Sequence, residues 1–226
     1  MTALRIGFLL FPQVTQLDLT GPLQVLYRLP GAKVEVVAKS RDPVASDCGL
    51  SLVPTTDFAD CGALDMICIP GGIGVLGAMA DEPTLEFVRR QGEQAQWVTS
   101  VCTGAFLLGA AGLLQGRRAT THWAYVDLLP LVGATHERAR VVRDGHVVTG
   151  GGVTAGIDFA LTLVAEIAGR EAAQAIGMSI EYDPAPPFAC GPAQVPAEVH
   201  GRVAPLFAER VAQYRGALAR VLPAPD

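Results

Sequence analysis

Charge is scarce in this chain: Asp, Glu, Lys and Arg make up only 17% of it, and the net charge is −5 at pH 7. No segment gathers Lys and Arg into a basic patch, so nucleic acid is not an expected partner. Long apolar runs are lacking as well. The first, Leu4 to Phe11, stops at Pro12, too short to cross a bilayer, and no small-residue cleavage pattern follows it. Neither a membrane segment nor a signal peptide is expected. The five cysteines (Cys48, Cys61, Cys68, Cys102, Cys190) are odd in number and include no Cys-x-x-Cys pair, which fits a reducing, cytoplasmic compartment. No two histidines or cysteines have metal-ligand spacing, and His-Glu-x-x-His and phosphate-loop patterns are missing, so no metal site is expected.

What is present is globular. Half of the 226 residues are hydrophobic, and the 25 glycines and 16 prolines are dispersed among short apolar runs rather than gathered in a low-complexity tract. One domain over residues 1–226 is the expectation at this length. Arg5–Phe11, Lys33–Ala38, Asp65–Pro70 and Trp97–Val101 read as strands, the third apolar on nearly every residue. Between them lie an amphipathic stretch, Pro83–Gln94, and a helix, Thr103–Ala111, ended by Gly112. Asp144-Gly145 marks a hairpin between Arg140–Asp144 and His146–Thr149, and a helix over Ala155–Ala168 follows Gly150-Gly151-Gly152. The five prolines of Asp183–Pro196 predict a surface crossing before a final helix, Pro196–Leu222. Buried strands alternating with helices predict an α/β fold: a mostly parallel sheet with helices on both faces.

The chemistry concentrates at Ser100-Val101-Cys102-Thr103-Gly104. A nucleophile between a strand and a helix, with small residues two positions away on each side, is the nucleophile-elbow pattern with Cys in place of Ser. A helix starting at Thr103 would aim its free N–H groups and positive end at the sulfur, predicting a lowered thiol pKa. A buried Cys followed by a Thr helix cap is the plainer alternative. Gly71-Gly72-Ile73-Gly74-Val75-Leu76-Gly77 contains a formal Gly-x-Gly-x-x-Gly, but the strand that follows ends at Cys102 rather than at an acidic residue, against a dinucleotide site. The better use of this turn is to present backbone N–H groups near Gly72 and Ile73, with that of Thr103, to charge developing on a substrate. Asp18 follows the first strand and so points to the same sheet edge as Cys102; whether it meets the cysteine or, like Thr20, caps the next helix stays open from this segment. His136, His146 and His200 lie among charged or turn residues. His122, in Thr120-Thr121-His122-Trp123, is the one histidine in an apolar setting that could line a pocket.

Seven segments together, Phe11-Pro12, Asp18-Leu19-Thr20-Gly21-Pro22, Ile69-Pro70-Gly71-Gly72, Val101-Cys102-Thr103-Gly104, Ala110-Ala111-Gly112-Leu113-Leu114, Thr120-Thr121-His122-Trp123 and Gly151-Gly152-Val153-Thr154-Ala155-Gly156-Ile157-Asp158, resemble the DJ-1/PfpI superfamily over essentially the whole chain. Within it, Thr103 directly after the cysteine and Asp18 at the position where other members carry Glu resemble the isonitrile hydratase branch. The resemblance implies a flavodoxin-like sheet, a homodimer and Cys102 as nucleophile. It also implies a small-molecule isonitrile substrate, hydrated to a formamide without a cofactor, with Asp18 as general acid and base. The same branch supplies sensor domains of AraC-type regulators, which carry a helix-turn-helix pair after this domain; with the chain ending at Asp226, none is expected. Three rivals stand beside this reading: a cofactor-free glyoxalase or other Cys hydrolase, a hydrolase triad of Cys102, Asp158 and His200, and a small-molecule or redox sensor.

Overall fold

The computed structural model describes residues 3–222. In chain order it comprises β1 (Leu4–Leu9), α1 (Gln16–Leu26), β2 (Ala32–Ala38), a small hairpin of β3 (Val44–Ala45) and β4 (Ser51–Leu52), β5 (Thr56–Asp57), β6 (Met66–Ile69), α2 (Val75–Ala80), α3 (Glu82–Gln94), β7 (Trp97–Val101) and α4 (Gly104–Ala110). There follow β8 (Arg118–Ala119), a 3-10 helix (Trp123–Val132), β9 (Thr135–His136), β10 (Val141–Asp144), β11 (Val147–Gly150), α5 (Ala155–Ala168) and α6 (Arg170–Ser179). The chain closes with α7 (Ala197–Val203), a 3-10 turn (Ala204–Phe207) and α8 (Ala208–Val221).

The central sheet runs β10-β11-β7-β6-β1-β2-β5 and is parallel except at β10, which pairs antiparallel with β11 across the Asp144-Gly145 turn. It is flavodoxin-like. All four residues of β6 and of β11 are buried, because a strand in the middle of such a sheet has helices against both faces. Helices α1, α5 and α6 pack together in one group, and α2, α3, α4 and α8 in another. Local signals set the helix ends: Asp81 caps α3, its carboxylate accepting from Thr84 N–H at 3.1 Å, and Gly112, at φ +81°, stops the run after α4.

Two expectations change. The helix read over Pro196–Leu222 breaks into α7, the 3-10 turn and α8, because Pro205 has no N–H to continue the helical ladder. Helix α4 is also shorter than read, beginning at Gly104. The crossing before α7 lies exposed on the surface, as its prolines predict, with Phe188 71% exposed. Strands β1, β6 and β7 and the start of α1 all deliver their ends to one edge, the edge that carries Cys102.

Candidate active site

Cys102 has φ +56°, a left-handed conformation that costs an L-residue other than glycine about 1–2 kcal/mol. Three bonds hold it there. Its N–H is shared between Gly150 O at 3.1 Å and Gly151 O at 2.9 Å, and its own carbonyl accepts from Thr121 Oγ1 at 2.7 Å. Two residues on, a Cβ at Gly104 would strike the Ile69 carbonyl oxygen, so the turn closes only with glycine there. These features make the segment a nucleophile elbow in geometry as well as in pattern.

Asp18 is 1% exposed and sits within α1, yet its carboxylate does not cap that helix. Its Oδ2 accepts from Gly71 N–H at 3.0 Å, and Oδ1 has no partner among the described residues. A Cβ placed on Gly71 would lie 2.7 Å from Asp18 Oδ2, 2.7 Å from Thr103 N and 2.8 Å from Cys102 Cβ. The three groups therefore converge on one glycine, and the question the sequence left open resolves toward the cysteine. Burial pushes the Asp18 carboxyl up from near 3.8 to about 7, against the pull of the Gly71 N–H and the Cys102 thiol; Asp47 adds a small push upward.

The sulfur corrects an expectation. Its pKa is raised, not lowered: burial and the Asp18 charge outweigh the N–H groups of Thr103 and Val153 that point at it. A seven-residue helix that starts one position later than read offers the sulfur little compensation. At neutral pH the resting pair is thus a thiol beside a carboxyl poised near its midpoint, and the two titrate as a unit.

Gly72 also departs from its expected role. Its N–H donates to Thr103 Oγ1 at 3.0 Å, so it is spent on fixing the turn and is not free for a substrate. The Ile73 N–H makes no hydrogen bond among the described residues, and Thr103 N–H faces the sulfur. His122 is half-buried, its Nδ1 accepting from Ala124 N–H at 3.3 Å and its ring 5.2 Å from that of Phe207. Burial drives its pKa down to about 4, leaving a neutral ring. It backs onto Gly152, where a Cβ would lie 2.7 Å from the imidazole, and so borders the turn that sends Val153 N–H to the sulfur without bonding to Cys102 or Asp18. The alternative triad is not assembled: Asp158 is held by Arg140 and by Tyr182 Oη at 2.7 Å, while the exposed His200 packs on Trp123. A cavity of about 800 Å³ opens beyond Ile73, between Phe11, Ala38 and Lys39, and neither Cys102 nor Asp18 lines it. Among the described residues no cluster of His, Cys, Asp or Glu could hold a metal ion, and no helix is long and apolar enough to cross a membrane. Sequence reasoning did not single out Thr121 or Val153; they stand in quoted motifs, but nothing local says that they meet Cys102.

A family model described as DJ-1/PfpI family matches residues 4–166. An isonitrile hydratase of Pseudomonas putida is 60% identical over 208 residues, 90% of this chain and 91% of that protein. The crystal structure of a THiJ/PfpI family protein from Pseudomonas syringae superposes with a TM-score of 0.94 at 44% identity, covering 96% of this chain and 91% of that one. An HTH-type transcriptional regulator of Pseudomonas aeruginosa is 30% identical over 189 residues, 79% of this chain but only 50% of the regulator.

Proposed function

The chain belongs to the DJ-1/PfpI family, and from that premise we propose that it hydrates isonitriles, R–N≡C, to N-substituted formamides. The observation that carries this is Asp18: a buried carboxyl near its midpoint that converges with Cys102 on Gly71, one oxygen held by the Gly71 N–H and the other without a partner among the described residues. The 60% identity to the isonitrile hydratase supports the same reaction.

In the first step Asp18 takes the thiol proton as sulfur bonds to the terminal carbon. It returns that proton to the same carbon, giving the thioimidate R–N=CH–S–Cys102. Asp18, again a carboxylate, then draws a proton from a water that adds to this carbon and passes it to the nitrogen, giving R–NH–CH(OH)–S–Cys102. As the tetrahedral adduct collapses, Asp18 moves its hydroxyl proton to the departing sulfur, the C–S bond breaks, and R–NH–CHO leaves with the thiol restored. Every proton taken is returned, so neither an oxidant nor a cofactor is needed. The N–H groups of Thr103 and Val153 stabilise charge on sulfur, and the free N–H of Ile73 is the donor left for the substrate. His122, neutral beside Gly152, serves as part of the pocket wall.

Incubation with an aryl and an alkyl isonitrile should yield the corresponding formamides. The value of kcat/KM should rise as pH passes through about 7, because below that Asp18 keeps its own proton and cannot accept the thiol's. Turnover of a dicarbonyl or an ester but of no isonitrile would replace this reading with a glyoxalase or hydrolase. The regulator's 30% identity favours a second reading, a sensor, for which saturable isonitrile binding without formamide would be the sign.

The reading extends to assembly and setting. One buried core, running from Ile6 to Leu218, supports a single domain over residues 1–226. Five free cysteines suit a reducing, cytoplasmic location, and the low positive charge gives nucleic acid no purchase. The protein acts as a homodimer, supported by exposed apolar side chains at Leu17 on α1 and at Leu50 and Val53 around the β3–β4 hairpin. Light scattering at micromolar concentration should give twice the chain mass of 23.7 kDa; a monomer's mass would overturn this.

A further inference from the structure

Helix α8 lies outside residues 4–166 that the family model matches, yet it sends a side chain to the underside of the site. Tyr214 is 1% exposed, and its hydroxyl donates to the Gly72 carbonyl oxygen at 2.7 Å across 142 residues of chain. The ring packs against Phe106 and Tyr125, with centroids 5.5 and 5.0 Å away, which fixes where the hydroxyl points. The same carbonyl lies 3.3 Å from Thr103 Oγ1, and Thr103 Oγ1 accepts from Gly72 N–H at 3.0 Å. Gly72 is thereby pinned at both its N–H and its C=O. It stands at φ +128°, where a Cβ would come within 2.5 Å of Thr15 N, so bonds rather than a side chain must hold it. One residue earlier is the N–H that holds Asp18 Oδ2 at 3.0 Å, and Thr103 carries the N–H that faces the sulfur.

We propose that Tyr214 is a positioning residue: its hydroxyl locks the Gly71–Gly72 turn and through it the Asp18 carboxyl and the Thr103 N–H against Cys102. The proposal rests on Cys102 and Asp18 being the reacting pair. Removing the hydroxyl takes away the shortest bond to this buried carbonyl and leaves the longer ones from Val75 N–H at 3.2 Å and Thr103 Oγ1 at 3.3 Å, neither of which reaches in from outside the turn and the elbow, so the turn relaxes. The Gly71 N–H then holds Asp18 less well, and the proton affinity of the carboxyl rises. The other titratable groups facing this pair are Asp47, toward Asp18, and Tyr125, toward Cys102, with Arg210 beyond Tyr125.

The test is Tyr214→Phe, which keeps the ring and its packing, with Tyr125→Phe as a control that removes a hydroxyl from the same aromatic cluster. In Tyr214→Phe kcat for isonitrile hydration should fall about 10-fold with KM within about 2-fold, the pattern of a misplaced reacting group rather than of lost binding. A second readout needs no substrate. In protein carrying 13C-labelled aspartate, the Asp18 carboxyl resonance, assigned by its loss in Asp18→Asn, should titrate about half a pH unit or more higher in Tyr214→Phe than in wild type and be unmoved in Tyr125→Phe. If Asp18 titrates as in wild type in Tyr214→Phe, or moves equally in both variants, Tyr214 is packing only and the proposal is overturned. If the wild type hydrates no isonitrile while the Asp18 midpoint still moves in Tyr214→Phe alone, the positioning role stands and the proposed reaction falls.

Discussion

Formamide formation should fall by at least ~10⁴-fold in Cys102→Ala, to the background of the uncatalysed reaction, because no other group at the elbow can form the covalent adduct. The fold should survive the change. Alanine keeps the Cβ, the backbone hydrogen bonds to Gly150, Gly151 and Thr121 do not involve the sulfur, and the left-handed strain is the same in both proteins. What is lost is one buried sulfur and its contacts with two N–H groups, about 1 kcal/mol or slightly more, so Tm should stay within about 5 °C of wild type. Mass spectrometry of wild type quenched during turnover should find the isonitrile mass on the peptide carrying Cys102 and on no other cysteine. Turnover in Cys102→Ala within 10-fold of wild type would remove the nucleophile from the scheme.

Asp18→Asn is expected to separate activity from stability. Asparagine keeps the size and can still accept from Gly71 N–H, but it cannot take and return a proton, so turnover should drop by about 10²-fold or more. Stability should move the other way, and only at high pH. The folded value of Asp18 is raised from near 3.8 to about 7, so the folded state holds this proton more tightly than the unfolded chain does. The stability it contributes is complete below about 3.8 and is lost as pH rises through about 7. At about 1.4 kcal/mol per pH unit, a carboxylate buried this deeply costs the wild type on the order of 4 kcal/mol at pH 8. Asparagine never ionises, so Asp18→Asn should melt several degrees above wild type at pH 8 and close to it at pH 4. Near-wild-type turnover would end the proton-transfer role; equal melting temperatures at pH 8 would mean that the carboxyl is not held near 7.

The elbow was legible because its signal is local: small residues around Cys102 are a pattern that a backbone imposes within a few positions. Asp18 was legible only as a candidate, since its segment left a helix cap and an approach to Cys102 equally open, and the expected role came from the resemblance. The proton affinity of the sulfur was not legible. A helix start can be read from Thr103 and Gly104, but the desolvation that overrides it is a sum over packing drawn from the whole fold. Val153 and Thr121 were invisible for a related reason. The Asp144-Gly145 hairpin was read correctly, but only the pairing of β11 beside β7 brings Gly150, Gly151 and Val153 to the cysteine, and pairing between distant strands leaves no mark in either. Tyr214 lay inside the final helix read over Pro196–Leu222, where a buried aromatic reads as core. Pro205 was in plain view, and the break it makes follows from its missing N–H.

The spread of these contacts along the chain has a consequence for synthesis. Chains emerge N-terminus first and fold in that order. Asp18, Gly71 and Cys102 leave the ribosome early, but the acceptors for the Cys102 N–H arrive with Gly150 and Gly151, and the hydroxyl that pins Gly72 comes last, on α8. Until Gly150 and Gly151 are in place the Cys102 N–H lacks both acceptors, and until α8 docks the Gly72 carbonyl lacks its bond from Tyr214. A site laid out by the first half of the chain is thus completed by the second.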